Sequence, residues 1–224
     1  MTPGELTRET ETRYLAKLPS GVVIETPVHR YRGEKDGPTV YVQALQHGGE
    51  VIGAVVLRRI HDRLLGTSLA GTVISVPVAN PLAVDHRRYL APSRVDAVNS
   101  NMNRQWPGDE NGTIFQRMVD RLWTLAGEAD VIIDLHTGGP DMLSHVRFTP
   151  GHSQSRELAT AFGLDLVVGE GSPDSSGESD GGGGKLREVA AENDIPCITP
   201  ELTHSRAVVE DSVESGVDGV MNVL

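Results

Sequence analysis

The chain has 224 residues, 38% of them apolar, with 31 acidic against 20 basic side chains and a formal charge of -11. That length and apolar content fit a single domain, 1–224, with a substantial core, while the acidic balance argues against the basic face that nucleic acid or an anionic membrane requires. Cys197 is the only cysteine, which excludes an intramolecular disulfide and a cysteine zinc cluster, and the apolar run around it marks a buried thiol.

Residues 1–20 are polar and charged with no apolar core segment, so no signal peptide is expected. No run approaches a membrane span, and a cytoplasmic location is expected. Residues 21–46 predict a strand hairpin whose last strand, Thr39 to Gln46, leads into a helix over 51–65. His47-Gly48-Gly49-Glu50 falls on the turn between them, where two glycines let the backbone bend. Glu50 there reads equally as an acidic residue complementing the helix dipole.

A strand over 71–78 is followed by a long irregular stretch from Asn80 to Gly108. Loops of that length inside a compact domain tend to be functional. Asn103 and Arg104 offer donors suited to a carboxylate, and Arg87 or Arg88 a fixed charge for a developing oxyanion. Any one of these arginines alone reads more simply as surface charge balancing an acidic protein. A helix from Thr113 to Ala126 carries Phe115, Met118, Val119, Leu122 and Trp123 at helical spacing, a core face.

Strands near 131–136, 145–149, 165–168 and 195–199 then alternate with helices near 153–163, 185–193 and 205–222. The pattern predicts an α/β protein, a three-layer α/β/α sandwich with a mixed central sheet. Gly169 to Gly184, rich in Gly, Ser and Asp, reads as a mobile loop, either a plain connection or a lid.

Asp134-Leu135-His136 ends a buried-type strand, the edge where open α/β sheets collect ligand sites. Strand periodicity puts Asp134 and His136 on one face, so Asp134 can orient a ligand imidazole. Ile195 to Thr199 repeats the pattern, with Glu201 just past its end. Together with His47-Gly48-Gly49-Glu50, these motifs supply two histidines and a glutamate that can close a zinc site with one position open to water. A second carboxylate is then available to move protons. That is hydrolase chemistry. His204, three residues past Glu201, is a possible neighbour of the site; the remaining histidines have no paired ligand spacing.

Five ordered segments, Gln46 to Gly53, Asn80-Pro81, Asn103 to Gly108, Asp134-Leu135-His136 and Glu201, resemble the succinylglutamate desuccinylase/aspartoacylase family of the zinc carboxypeptidase superfamily. The resemblance runs from about Gly21 to the last residue, with 169–184 unmatched. It implies a zinc carboxypeptidase-like fold and one zinc per chain held by His47, Glu50 and His136, with Glu201 as the catalytic carboxylate. It further implies that Asn103 and Arg104 grip a substrate carboxylate and that Arg88, with Arg87 as the alternative, polarises the scissile carbonyl. Met102 replaces the family's usual leucine at similar volume. Family members usually continue into a β-rich C-terminal domain that this sequence does not contain, so a more open site is expected.

The expected activity is zinc-dependent cleavage of the amide bond of an N-acyl amino acid or similar small anionic amide. A carboxypeptidase acting on short peptides is the competing enzyme, though the 86 residues from Glu50 to His136 are shorter than that branch's gap. A non-catalytic zinc-binding module would leave Glu201 without a purpose. The 3 lysines against 17 arginines fit adaptation to high salt and fit a GC-rich genome equally. Oligomeric state is left open.

Overall fold

The computed structural model describes residues 6–96, 98–170, 184–205 and 207–224. An eight-stranded mixed sheet, ordered β1-β2-β4-β3-β5-β8-β6-β7, carries helices on both faces. The strands are β1 (Thr7–Lys17), β2 (Val23–Arg32), β3 (Lys35–Ala44), β4 (Ala70–Val76), β5 (Val131–Thr137), β6 (His145–Phe148), β7 (Val167–Gly169) and β8 (Cys197–Leu202). The central β4, β3, β5 and β8 run parallel, and β6 turns antiparallel to β8.

Alternation along the strands divides the core between the two faces. Val40, Val42 and Ala44 of β3, Ile133 and Leu135 of β5, and Ile198 and Leu202 of β8 pack against α1 (Val51–Leu64), α4 (Ser153–Phe162) and α6 (Glu210–Val223). Tyr41, Ile132 and Cys197 face the other way, toward α3 (Ile114–Ala126) and α5 (Leu186–Glu192). Cys197 is therefore a core thiol, and burial pushes it well above its ordinary pKa.

Two expectations need correction. Residues 21–46 do not form a hairpin: β4 lies between β2 and β3, antiparallel to one and parallel to the other. Parallel pairing requires a crossover, and α1 supplies it, so β3 and β4 become partners across the helix. The polar N-terminal segment is also structured, as strand β1 paired with β2. Its residues alternate among exposed polar types and only Leu15 and Ala16 are buried, so an edge strand of this composition gives no apolar signal. Strand β8 runs three residues further than its apolar stretch, which puts Glu201 inside the sheet. Of the glycine-rich stretch 169–184 expected to be a mobile loop, residues 171–183 lie outside the described residues.

Candidate metal centre and its cavity

The turn after β3 is built by backbone close approach. Leu45 takes a left-handed φ of 56°, unfavourable for a bulky residue, and Ala79 and Asn80 N–H groups bond to the Ala44 and Leu45 carbonyls. Asn80 caps α2 (Pro81–Asp85) by accepting from Ala83 N–H, with Pro81 at the first helical position. Its amide also donates to the Gln46 carbonyl at 3.0 Å. Gly48 rests on this helix: a Cβ there would meet the Ala83 carbonyl oxygen at 2.2 Å.

Glu50 occupies the N-cap position of α1, yet its side chain makes no capping bond. The carboxylate points instead to His47 Nδ1 at 2.9 Å and His136 Nδ1 at 3.1 Å. Thr137 N–H donates to Glu50 Oε2 at 3.2 Å. All three ligand atoms lie within 4.8 Å of one another and all three residues are buried, the one such group among the described residues. Behind each histidine sits an oxygen acceptor: Asp134 Oδ2 at 2.8 Å from His136 Nε2, and Asn101 Oδ1 at 3.2 Å from His47 Nε2. Acceptors there hold a proton on each Nε2, so that a bound metal would meet the Nδ1 lone pairs, the arrangement metal-ligating histidines adopt. The donor set of two imidazoles and a carboxylate fits a zinc-type cation.

Asp134 is itself locked by buried amides. Gln43 and Gln46 donate to its two oxygens at 2.9 and 2.8 Å, and Trp106 Nε1–H donates to Gln46 Oε1 at 2.9 Å. Burial alone would raise the Asp134 and Glu50 carboxyls. The His136 imidazole, together with the Gln43 and Gln46 amides at Asp134 and with His47 at Glu50, outweighs it, leaving Asp134 below its usual range and Glu50 at about 2. His136 is desolvated, but Asp134 and Glu50 hold it well above an ordinary imidazole.

The group opens on a cavity of about 300 Å³. Glu201 lines it from β8, in register with His136 on β5 and His145 on β6. Asn103 and Arg104, at the end of a short 3₁₀ turn, line it too. Asn103 Oδ1 already accepts from the Leu186 N–H at 3.0 Å, which leaves the side-chain NH2 donors for a ligand. Six of the seven residues expected at the site thus converge.

Arg88 does not. It is exposed and is not part of the cavity wall. The chain passes through a left-handed Arg87, φ 50°, and the inward residue is Tyr89, whose ring stacks on His47 with centroids 4.0 Å apart. His204 is likewise outside the wall, which Ser205 reaches. The cations that do line the cavity beside Arg104 are Arg147, Lys185 and Arg187. The first of these stands 3.5 Å from Glu201 Oε1. No spacing rule marks these three in the sequence, because Arg147 lies on β6 and Lys185 and Arg187 at the start of α5, far apart in the chain and among residues of ordinary type. Gln46 and Trp106 sit within motif segments but carry no chemistry that spacing alone could reveal.

The sequence profile of the succinylglutamate desuccinylase/aspartoacylase catalytic domain matches residues 36–224. The chain belongs to this family. It is 35% identical over 146 residues to an N-alpha-acetyl-L-2,4-diaminobutyric acid deacetylase of Halomonas elongata, a match covering 61% of the chain and 41% of that enzyme. The chain thus spans about two fifths of that relative's length.

Solved structures share the fold. The product-bound ectoine utilization protein EutE (DoeB) of Ruegeria pomeroyi superimposes with a TM-score of 0.79 at 22% identity, over 98% of this chain and 66% of that one. A succinylglutamate desuccinylase/aspartoacylase of Rhodobacter sphaeroides gives 0.80 at 24%, over 96% and 64%. A metallo-carboxypeptidase of Burkholderia cenocepacia gives 0.70 at 16%, over 96% and 63%. No helix among the described residues is long and apolar enough to cross a membrane.

Proposed function

We propose that this chain is the catalytic part of a zinc-dependent deacylase that hydrolyses the amide bond of a small anionic N-acyl amino acid. The observation that carries this reading is the juxtaposition of the buried His47, Glu50 and His136 group with Glu201 in one cavity lined by Arg104, Arg147, Lys185 and Arg187. Family membership and the deacetylase relative support it.

His47, Glu50 and His136 would hold the zinc, which when bound supplies Lewis acidity and an acidified water. Glu201 then takes a proton from the water that attacks the acyl carbonyl and returns it to the departing amine. Arg104 and the Asn103 amide fix a substrate carboxylate, which sets the scissile bond at one distance from Glu201. The oxyanion role expected of Arg88 requires that side chain to swing in from the surface; Arg147, 3.5 Å from Glu201 Oε1, is a cation already in the cavity wall.

A screen of N-acetyl amino acids, N-succinyl amino acids and short peptides with zinc-reconstituted protein tests the reading and separates it from the carboxypeptidase alternative, which the shared fold with a metallo-carboxypeptidase keeps in view. Glu201→Gln is expected to retain zinc and lose at least 100-fold in kcat, in line with the ~10²–10⁴ contributed by a general base. Zinc stoichiometry near zero after reconstitution, or full turnover in Glu201→Gln, overturns the proposal.

A further inference from the structure

Three cations in the cavity wall converge on one carboxylate. Glu170, immediately after β7, places Oε2 2.9 Å from Arg147 Nη1 and 3.0 Å from Arg187 Nη2, with Lys185 Nζ 3.8 Å from Oε1. The cations come from β6, from the first turn of α5 and from the residue preceding that helix, so separate parts of the chain have been brought together on a single negative group. All four residues line the cavity that contains His47, Glu50, His136 and Glu201.

The two sides of this cluster are built differently. Arg187 is 3% exposed, is fixed by a bond to Thr199 Oγ1 at 3.2 Å, and keeps a buried Nε–H with no partner among the described residues. A buried guanidinium with an unpaired donor is undersatisfied. The Glu170 side chain is 38% exposed, and the backbone of that residue is anchored separately, its N–H to the Phe148 carbonyl at 3.0 Å and its carbonyl to Arg187 Nη2 at 3.3 Å. The carboxylate can therefore swing into water while the chain stays in place, and ion pairs at such exposure are weakened by solvent.

We infer that Arg147, Lys185 and Arg187 form a carboxylate seat that Glu170 fills as an internal stand-in, and that a substrate carboxylate takes the seat by displacing Glu170, making this residue a determinant of substrate selectivity. The inference rests on the deacylase reading for the identity of the occupant. Exchange swaps one carboxylate for another, so the cations stay neutralised and little is gained from the seat alone. A neutral amide cannot displace Glu170, and a simple monocarboxylate gains too little to do so well. The ligand that succeeds brings a second anchor elsewhere in the cavity.

Calorimetry with succinate on the zinc-loaded protein, with succinamide as the neutral control, tests the exchange. Glu170→Gln is expected to tighten succinate binding by about tenfold and leave succinamide unchanged, because a competing charged hydrogen-bond acceptor is gone. Succinate affinity that is unchanged or weaker in Glu170→Gln overturns the inference. A crystal structure of the unaltered protein with succinate decides the matter without a variant. Succinate on Arg187 with Glu170 turned to solvent supports the exchange; succinate elsewhere with Glu170 still bridging Arg147 and Arg187 refutes it. Tightened succinate binding in a protein that hydrolyses no N-acyl amino acid would sink the deacylase reading and leave the exchange standing.

Discussion

His136 leans on a carboxylate and His47 on an amide, and that asymmetry has measurable consequences. Outer partners of this kind are typically worth ~10–100-fold in metal affinity. Asn101→Asp keeps an acceptor for the Asn103 N–H, which Asn101 Oδ1 now takes at 3.0 Å, and gives His47 the same charged support that Asp134 gives His136. Metal affinity, measured by chelator competition, is expected to rise in Asn101→Asp and to fall by about tenfold in Asn101→Ala. Protons enter the same balance. Burial disfavours His136 imidazolium, but Asp134 and Glu50 outweigh it and raise the pKa, so without metal this ring is charged near neutrality. A metal must expel that proton, because only the neutral ring is a ligand. Apparent affinity therefore falls as pH drops below the raised pKa, about tenfold per unit for one proton. Calorimetric titrations in two buffers of different ionisation enthalpy at pH 7 are expected to show proton release on metal binding; none would contradict the bonding assigned to His136.

The elements position these groups by close backbone contact. The turn from β3 into α1 must hold His47 and Glu50 three residues apart with both side chains pointing toward β5. It does so by laying Gly48 on the start of α2, with Gly48 N–H bonded to the Tyr89 carbonyl at 3.3 Å. A methyl at Gly48 would sit 2.2 Å from the Ala83 carbonyl carbon, a clash with backbone that no rotamer relieves. Gly48→Ala is expected to cost about 1–3 kcal/mol of stability as an overpacked site and to lower zinc affinity by more than tenfold, because the turn carries two of the three ligands. Thermal melts with and without zinc read the two effects separately: a variant whose melting temperature gains as much from zinc as the parent's would show that the turn tolerates the shift.

At the scale of the whole molecule, the -11 charge makes self-repulsion a general term opposing compaction. Exposed pairs such as Arg58 with Asp62 at 2.8 Å offset little of it. Raising the salt from 0.05 to 0.5 M shortens the Debye length to about 4 Å, so the melting temperature is expected to rise; a fall would mean that attractive pairs outweigh the net repulsion. The sequence alone determined the layers and the ligand motifs, because periodicity and short spacings are local: short apolar runs mark β5 and β8, helical spacing marks α3, and His47 and Glu50 share one turn. What local spacing left open was pairing and direction. Only the tertiary structure decided that β4 separates β2 from β3, that Tyr89 and not Arg88 faces His47, and that Arg147, Glu170, Lys185 and Arg187 meet in one cavity. Those outcomes depend on contacts between residues far apart in the chain, where no single segment carries the preference and the packed sheet selects among them.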